Sequence, residues 1–413
     1  MLEFLKFVIA GFREATRGQR LYHLWMGTLT VFILIGVYFY SVQLREGLAI
    51  TGMHDHVSWG LYISNFTFLV GLAAAAVMLV LPAYIFGDID FKRVVLIGEG
   101  VAVAALIMCL AFVIADMGRP DRLWHMLPFI GYFNWPSSLL AWDVIVLNGY
   151  LALNIVIPFY LLYSRYRGRK ADPKKYLPFV FISVFWAIAI HTVTAFLYAG
   201  LSSKPFWNSS ILGIRFLASA FSAGPAFIAV TLYFIDKHSD FKIEENIFHK
   251  LGYIITVAAQ INLFLLGSEI FKEFYHPTAH SHSAYYLFFG YEGHNALVPW
   301  IWTSIILNVL ATATLTIHKL RRNRRVFLVM CLTLFVAIWI EKGMGLIVPG
   351  FIPSQLGEIV EYFPTMPEIF ITLGIWALGL FVFTFLVKIA IPIELGYLHL
   401  KQSSTSTQGV EHA

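Results

Sequence analysis

The sequence predicts an all-α polytopic membrane protein of ten transmembrane helices, and three observations carry that prediction. Of 413 residues, 59% are apolar and only 13% charged, against roughly 45–50% and about 25% in soluble domains. The apolar residues fall in blocks of about 20, the length that crosses a hydrocarbon core of roughly 30 Å as a helix. The basic residues, in turn, gather on alternate connections between those blocks. A soluble globular enzyme, a disordered regulator and a collagen-like fibre are thereby excluded.

Taken in order, the spans are expected at roughly 24–43, 58–86, 94–115, 141–164, 177–200, 211–235, 250–272, 297–318, 326–347 and 368–391. Pro82, Pro158 and Pro225 fall inside or near span ends, where neighbouring helices can satisfy the freed backbone. With the N-terminus inside, 22 of the 29 Lys and Arg lie in cytoplasmic segments, including six from Arg165 to Lys175 and five from Lys319 to Arg325. An even number of spans then puts both termini in the cytoplasm, and the net charge of +5 becomes a topology signal rather than a nucleic-acid patch. Residues 1–23 read as an interfacial arm, not a signal peptide, because Leu2, Phe4, Leu5, Val8, Ile9 and Phe12 recur at helical spacing. Residues 24–397 form the transmembrane domain, and the polar 398–413 form a disordered cytoplasmic tail. The outer loops at 116–140, 273–296 and 348–367 are long and shaped, as binding or docking loops are.

Cys109 and Cys331 each sit in an apolar run, with no CxxC, CxxCH or ferredoxin spacing. The chain is therefore expected to hold no iron–sulfur cluster and no c-type haem, and both thiols to act as small core hydrophobes. A b-type haem needs paired histidines within spans, yet only His191 is deep. The outer-loop trio His276, His280 and His282 reads as solvated loop, so no metal site is expected.

Ionisable residues inside a bilayer are costly and mark candidate function. Asp116 closes span three with Arg119 one turn on, and Asp143 follows Trp142 just inside span four. Arg215 enters span six by about 6 Å. His191 lies deeper in span five, below Tyr198, while Tyr62 and Asn65 sit in the outer turns of span two. Such a set offers a quinone headgroup donors at its carbonyls, a titratable proton partner and an aromatic sleeve. The bland alternative is an ion-pair lattice in which Asp116 or Asp143 neutralises Arg119 or Arg215. Glu99, Glu269 and Glu341 are candidate proton carriers, or else satisfied structural pairs. Lys342 adjoins Glu341, and since adjacent helical positions diverge, both are expected to find partners elsewhere.

The stretches VSWGLYISNFTFLVG, DMGRPDRLWHML, AWDVIVLNGYLALN and HTVTAFLYAGLSSKPFWNSSILGIRFLASAFSAGPA together resemble the NrfD/polysulfide-reductase membrane-subunit family. Within it, the ten-span form is most similar to the DsrP/HmeB type of the sulfite-reduction-associated menaquinol complex. The resemblance covers nearly the whole chain. It implies two four-helix bundles, spans two to five and six to nine, flanked by the outermost helices. It implies non-covalent menaquinone near the outer face of the first bundle, with Tyr62, Asp116, Arg119, Trp142, Asp143, His191 and Arg215 carried over to the site. It further implies an outer ferredoxin-like iron–sulfur subunit, a multihaem cytochrome c, a b-type cytochrome and a cytoplasmic iron–sulfur subunit as partners.

The expected function is thus exchange of electrons between menaquinone and an iron–sulfur partner from within the cytoplasmic membrane, with sulfur metabolism as the setting and proton movement as a further expectation. The rival readings are a secondary transporter, which calls for matched broken helices in two halves and shows no clear pair here, and a passive anchor for redox partners.

Overall fold

A computed structural model describes residues 2–127, 129–275, 278, 281–354 and 356–400. His276, His280 and the tail from 401 to 413 lie outside the described residues. Among the described residues, ten helices long and apolar enough to cross a membrane run Arg20–Ile50, Leu61–Ile85, Ile89–Asp116, Leu139–Tyr166, Pro173–Ala199, Leu212–His238, Glu245–Tyr275, Val298–Thr316, Arg324–Gly350 and Met366–Glu394. They are called spans one to ten below. Among the described residues there is no strand.

Polar residues set where several spans begin. Asp88 caps span three by accepting from the backbone N–H groups of Asp90 and Phe91, at 2.9 and 3.4 Å. Asp172 caps span five ahead of Pro173, and Thr365 with Glu368 forms a capping box at span ten. The cap at Asp88 starts span three at Ile89, five residues before its apolar run, so Glu99 lies about 15 Å from that end.

Spans two, three, four and five close one ring, and spans six, seven, eight and nine close a second. The rings meet where span two lies against spans six and nine and span five against span six. Spans one and ten pair outside them, with span ten resting on spans two, three and four. Span one is an outer element: 11% of its most apolar window is buried, against 78% in span three. It approaches span ten through two glycines, since a Cβ built on Gly36 would stand 2.8 Å from the Gly374 Cα. The arm helix Leu2–Ala15 and the end of span ten lie at one face, where Phe7 is buried beside Tyr166 and Ile393. The apolar residues that predicted this helix, from Leu2 to Phe12, are exposed on its other side. The opposite face carries the long loops, and the loop after span seven contains a further short helix, His282–Phe289.

Two spans are broken, a feature that hydropathy and span length do not anticipate. Span two runs as Leu61–Ala74, Val77–Val80 and a wide turn over Leu81–Ile85, where Pro82 lacks the N–H that the ladder needs. Span nine stops at Lys342 and restarts at Met344, and the intervening Gly343 lies against the Ser64 carbonyl. The breaks fall at Ala75–Ala76 in the first member of one bundle and at Gly343 in the last member of the other, so they are not a matched pair.

Candidate functional site

The interior of the first bundle holds a column of polar side chains. At the loop face Asp116 ends span three with its Oδ1 buried and without a hydrogen-bond partner. Tyr62 stands near it, fully buried, its hydroxyl donating to Gln43 Oε1 of span one at 2.7 Å. One level in, Thr194 of span five donates to Asp143 Oδ1 of span four at 2.8 Å. Beside it the Thr67 hydroxyl is spent on the Ile63 carbonyl at 2.7 Å, so the Tyr198 hydroxyl, 2.5 Å away, donates to Thr67 Oγ1. His191 lies two turns below Tyr198. Its Nδ1 is 3.1 Å from the Ala187 carbonyl, an obligate acceptor, so Nδ1 carries the proton and Nε2 presents a lone pair. That Nε2 is buried and unpartnered. Deeper again, Glu99 is 3% exposed with Oε2 unpartnered.

Four residues expected at this site are directed elsewhere. Arg119 leaves the membrane with the turn at Pro120, its side chain 66% exposed and paired with Asp121 at 2.9 Å. The Arg119 guanidinium hydrogen-bonds Asp121 and holds that carboxyl below its ordinary range. Trp142 turns its indole N–H to the Pro136 carbonyl at 2.9 Å and its ring to Trp135, about 100° around the helix from Asp143. Asn65 is consumed as a clamp, its Oδ1 accepting the indole N–H of Trp339 at 3.0 Å and of Trp376 at 2.9 Å. Arg215 belongs to the second bundle, so no acid of the first bundle neutralises it.

There it forms the second polar centre. Arg215 ion-pairs with Glu269 of span seven and, at 3.0 Å, with Glu341 of span nine. Glu341 Oε2 also accepts from Asn308 at 2.9 Å and Asn262 at 3.3 Å. Contrary to the expectation from helical divergence, Lys342 does reach its neighbour: its Nζ lies 3.3 Å from Glu341 Oε1, allowed by the helix break at Gly343. A cavity lined by Arg215, Glu269, Glu273 and Glu341 opens beside this network. The proton-carrier candidates Glu269 and Glu341 are thus partners in one ion-pair network, whereas Glu99 is separate from it.

Sequence reasoning missed several contributors. Asn262 and Asn308 are fully buried polar residues in apolar spans, and being uncharged they lack the high burial cost that marks an ionisable residue there. Glu368 is fully buried and accepts from Gly52 N, Thr365 N and the Tyr362 hydroxyl at 2.7, 2.8 and 2.6 Å. Burial first, and then Glu368, raise the Tyr362 phenol, keeping it a donor. The pattern T-x-x-E at 365–368 was the available clue. Between the bundles, at the loop face, Trp59, Tyr198, Trp207 and Phe351 pack as an aromatic plug. Trp207 is anchored to the Leu346 carbonyl at 2.8 Å, and the Lys204 ammonium lies 4.4 Å over Phe351. Cys109 and Cys331 are buried and unbridged. Among the described residues, no three His, Cys, Asp or Glu gather as a metal site.

The family model for NrfD polysulphide reductase matches residues 49–352, which take in the outer turns of span two, both bundles and the aromatic plug. The chain is 25% identical over 415 residues to a protein of Halobacterium salinarum named as a dimethyl sulfoxide reductase membrane subunit, covering 90% of each. It is 24% identical to a selenate reductase subunit of Mesobacillus selenatarsenatis, over 72% of this chain and 76% of the relative. To the Hdr-like menaquinol oxidoreductase integral membrane subunit of Archaeoglobus fulgidus it is 22% identical, over 85% of this chain and 89% of that one.

Proposed function

We propose, from the premise that this chain belongs to the NrfD polysulphide reductase family, that it exchanges electrons between menaquinone or menaquinol and an iron–sulfur subunit docked on the loop face. The observation that carries this is the first-bundle column. It contains three buried, unpartnered acceptors, Asp116 Oδ1 near the loop face, His191 Nε2 beneath it and Glu99 Oε2 deepest. Unpaired buried polar atoms cost stability and are retained where a ligand or water completes them. A quinol fits that acceptor set, because its hydroxyls donate and each must lose a proton when it is oxidised. The relative named for a menaquinol oxidoreductase supports the choice of menaquinone.

When bound, the quinone supplies the two-electron chemistry. The protein's own residues do the rest. Asp116 accepts from a hydroxyl at the loop end, and Tyr62, held by Gln43, keeps water and lipid from that carboxylate. Asp143, oriented by Thr194, and His191, with Nδ1 fixed as donor, take the protons inward. Trp142 and Arg119 act on the loop rather than on the headgroup, and Arg215, Glu269 and Glu341 handle charge in the second bundle. The loop between spans three and four presents Trp124, Leu127, Phe129, Ile130, Tyr132 and Trp135 to solvent, an apolar surface suited to an outer ferredoxin-like partner. The wider assembly we propose adds a multihaem cytochrome c, a b-type cytochrome and an iron–sulfur subunit on the terminal face, which is cytoplasmic in this reading. The membrane is the cytoplasmic membrane.

Asp116→Asn and His191→Gln in the assembled complex test it. Each is expected to lower menaquinol-linked electron transfer about a hundredfold, the scale of a lost acid–base group, with the same set of proteins assembled. Wild-type turnover in both variants would overturn the reading.

A further inference from the structure

The arm helix Leu2–Ala15 presents three different faces. Phe7, Gly11 and Ala15, four residues apart, are buried against the transmembrane domain. The Phe7 ring lies 5.4 and 5.2 Å from those of Tyr163 and Tyr166 in span four, and a Cβ built on Gly11 would stand 3.4 Å from the Ile389 side chain of span ten. Leu2, Leu5, Val8, Ile9 and Phe12 form a second, exposed apolar face. Lys6 and Arg13 form a third. Seven residues apart, they lie within about 20° of each other around the axis, and both are exposed. Arg17, also exposed, follows in the elbow to span one.

The arm's charges are sorted between these faces. Its two acids turn to the protein, Glu3 pairing with Arg167 at 2.9 Å and Glu14 with Lys388 of span ten at 3.9 Å. Lys6, Arg13 and Arg17 meet no carboxylate among the described residues. Phe4 and Phe12 fix the arm's level. Their rings pack on Phe159 of span four and Phe385 of span ten, at 5.9 and 5.6 Å. Those partners lie roughly 10 and 14 Å inside the ends of their spans at about 1.5 Å per residue. The elbow holds the arm there: the Tyr22 hydroxyl donates to the Ala15 carbonyl at 2.6 Å, and the bare Cα of Gly18 makes room for the Tyr22 ring. The apolar face is thus at acyl-chain depth, and the long stems of Lys6 and Arg13 carry their charges to the headgroups.

A water-soluble subunit does not reach acyl-chain depth. A neighbouring transmembrane helix would cover the apolar face and leave three cations unmatched. An anionic phospholipid satisfies both, with acyl chains on the apolar residues and a phosphate for the cations. We propose that the arm is a binding site for anionic phospholipid, its phosphate held by Lys6 and Arg13 with Arg17 beside them. Lys6 and Arg13 are about 10 Å apart along the axis, a separation that their long side chains close from either side of one phosphate. The interaction is non-covalent and does not depend on the quinone reading above.

The test uses the whole complex in bilayers that carry a trace of photoactivatable phosphatidylglycerol or, separately, photoactivatable phosphatidylcholine, with labelled residues mapped by mass spectrometry. The phosphatidylglycerol probe is expected to label the arm, at Leu5, Val8, Ile9 and Phe12, about tenfold or more above the phosphatidylcholine probe. The triple variant Lys6→Gln, Arg13→Gln, Arg17→Gln should bring the two probes level. A control variant, Arg169→Gln, Lys170→Gln, Lys174→Gln, removes three exposed cations of the loop between spans four and five and should leave arm labelling unchanged. Equal labelling by both probes in wild type, or an undiminished preference in the triple variant, would overturn the proposal. So would an equal loss in the control variant, which would mean diffuse surface charge, or cross-links from the apolar face to a partner subunit. Should the triple variant not assemble, wild-type labelling at low and at 1 M salt decides: the preference is expected to collapse at high salt, and its persistence would overturn the site.

Discussion

Replacing Glu341 by Gln is expected to destabilise the second bundle by an amount that its charge balance sets. The buried network holds two carboxylates, Glu269 and Glu341, and two cations, Arg215 and Lys342, and so sums to zero. Glutamine has nearly the same shape and can still accept from Asn308 or Arg215, so packing changes little and one negative charge is lost. Lys342 is then left as an uncompensated ammonium in a residue only 3% exposed. The Coulomb energy across the 3.3 Å separation is about 5 kcal/mol at an effective dielectric of about 20. Breaking a buried pair by removing one partner costs about 3–5 kcal/mol in measured cases. The two figures agree, and either is a large part of a typical stability of about 5–15 kcal/mol. The assay is unfolding of the purified complex, followed by tryptophan emission, for Glu341→Gln, Lys342→Met and the double variant. Because the double variant leaves Arg215 and Glu269 as a neutral pair, it should recover at least half of the loss, giving a coupling energy of about 2 kcal/mol or more. A Glu341→Gln complex within about 0.5 kcal/mol of wild type, or strict additivity in the double variant, would refute charge balance as what holds this centre.

Gly36→Leu should force spans one and ten apart, since even a Cβ there meets the Gly374 backbone at 2.8 Å; a loss of about 1–3 kcal/mol and weaker cross-linking between the two spans are expected. Tyr362→Phe removes the donor to Glu368 Oε1 and the acceptor for Leu61 N–H, at 2.6 and 2.8 Å. It should cost about 1–3 kcal/mol and speed hydrogen exchange at Leu61. Asp88 is held below its ordinary range first by its hydrogen bond to Lys250, so its contribution is full above the usual carboxylate pKa and is lost as pH falls through the lowered one. Solvent screening limits that contribution to no more than about 1 kcal/mol, and Asp88→Asn, which can still cap span three, should flatten only this acid limb in a pH series of melts.

The ten spans were legible because each must carry an apolar run long enough for the bilayer, a requirement that leaves its mark in any single stretch of sequence. Their ends were not equally legible. Span three begins five residues before its apolar run because Asp88 caps it, while Asp90, Lys92 and Arg93 complete a polar first turn that hydropathy reads as loop. The breaks in spans two and nine escaped for a related reason. Ala75 and Gly343 look like ordinary small residues of a membrane helix, and their meaning lies across the seam, where Gly224 abuts Ala75 and Ser64 abuts Gly343. The long-range pairs were equally hidden: the two indoles that saturate Asn65 come from residues 339 and 376.

The candidate site shows how far a depth argument reaches. Counting residues from a span end puts Asp116, Asp143 and Arg215 near one expected depth, but depth is only one of the two coordinates of a side chain in a bundle. The other is its direction around the helix axis, which depends on which neighbours the helix has. Arg215 turns toward spans seven and nine, where two carboxylates compensate its charge. The acids it leaves behind keep no cation at all: Asp143 has a threonine, and Asp116 has an open oxygen. A bundle that holds its carboxylates without counter-charges, next to one whose charges sum to zero, is divided in chemistry as well as in packing. The first bundle can take a proton at the cost of few bonds, whereas the second must break an ion pair to do so. The proposed function accordingly assigns proton exchange with a ligand to Asp116, Asp143 and His191, which can change charge without breaking an ion pair.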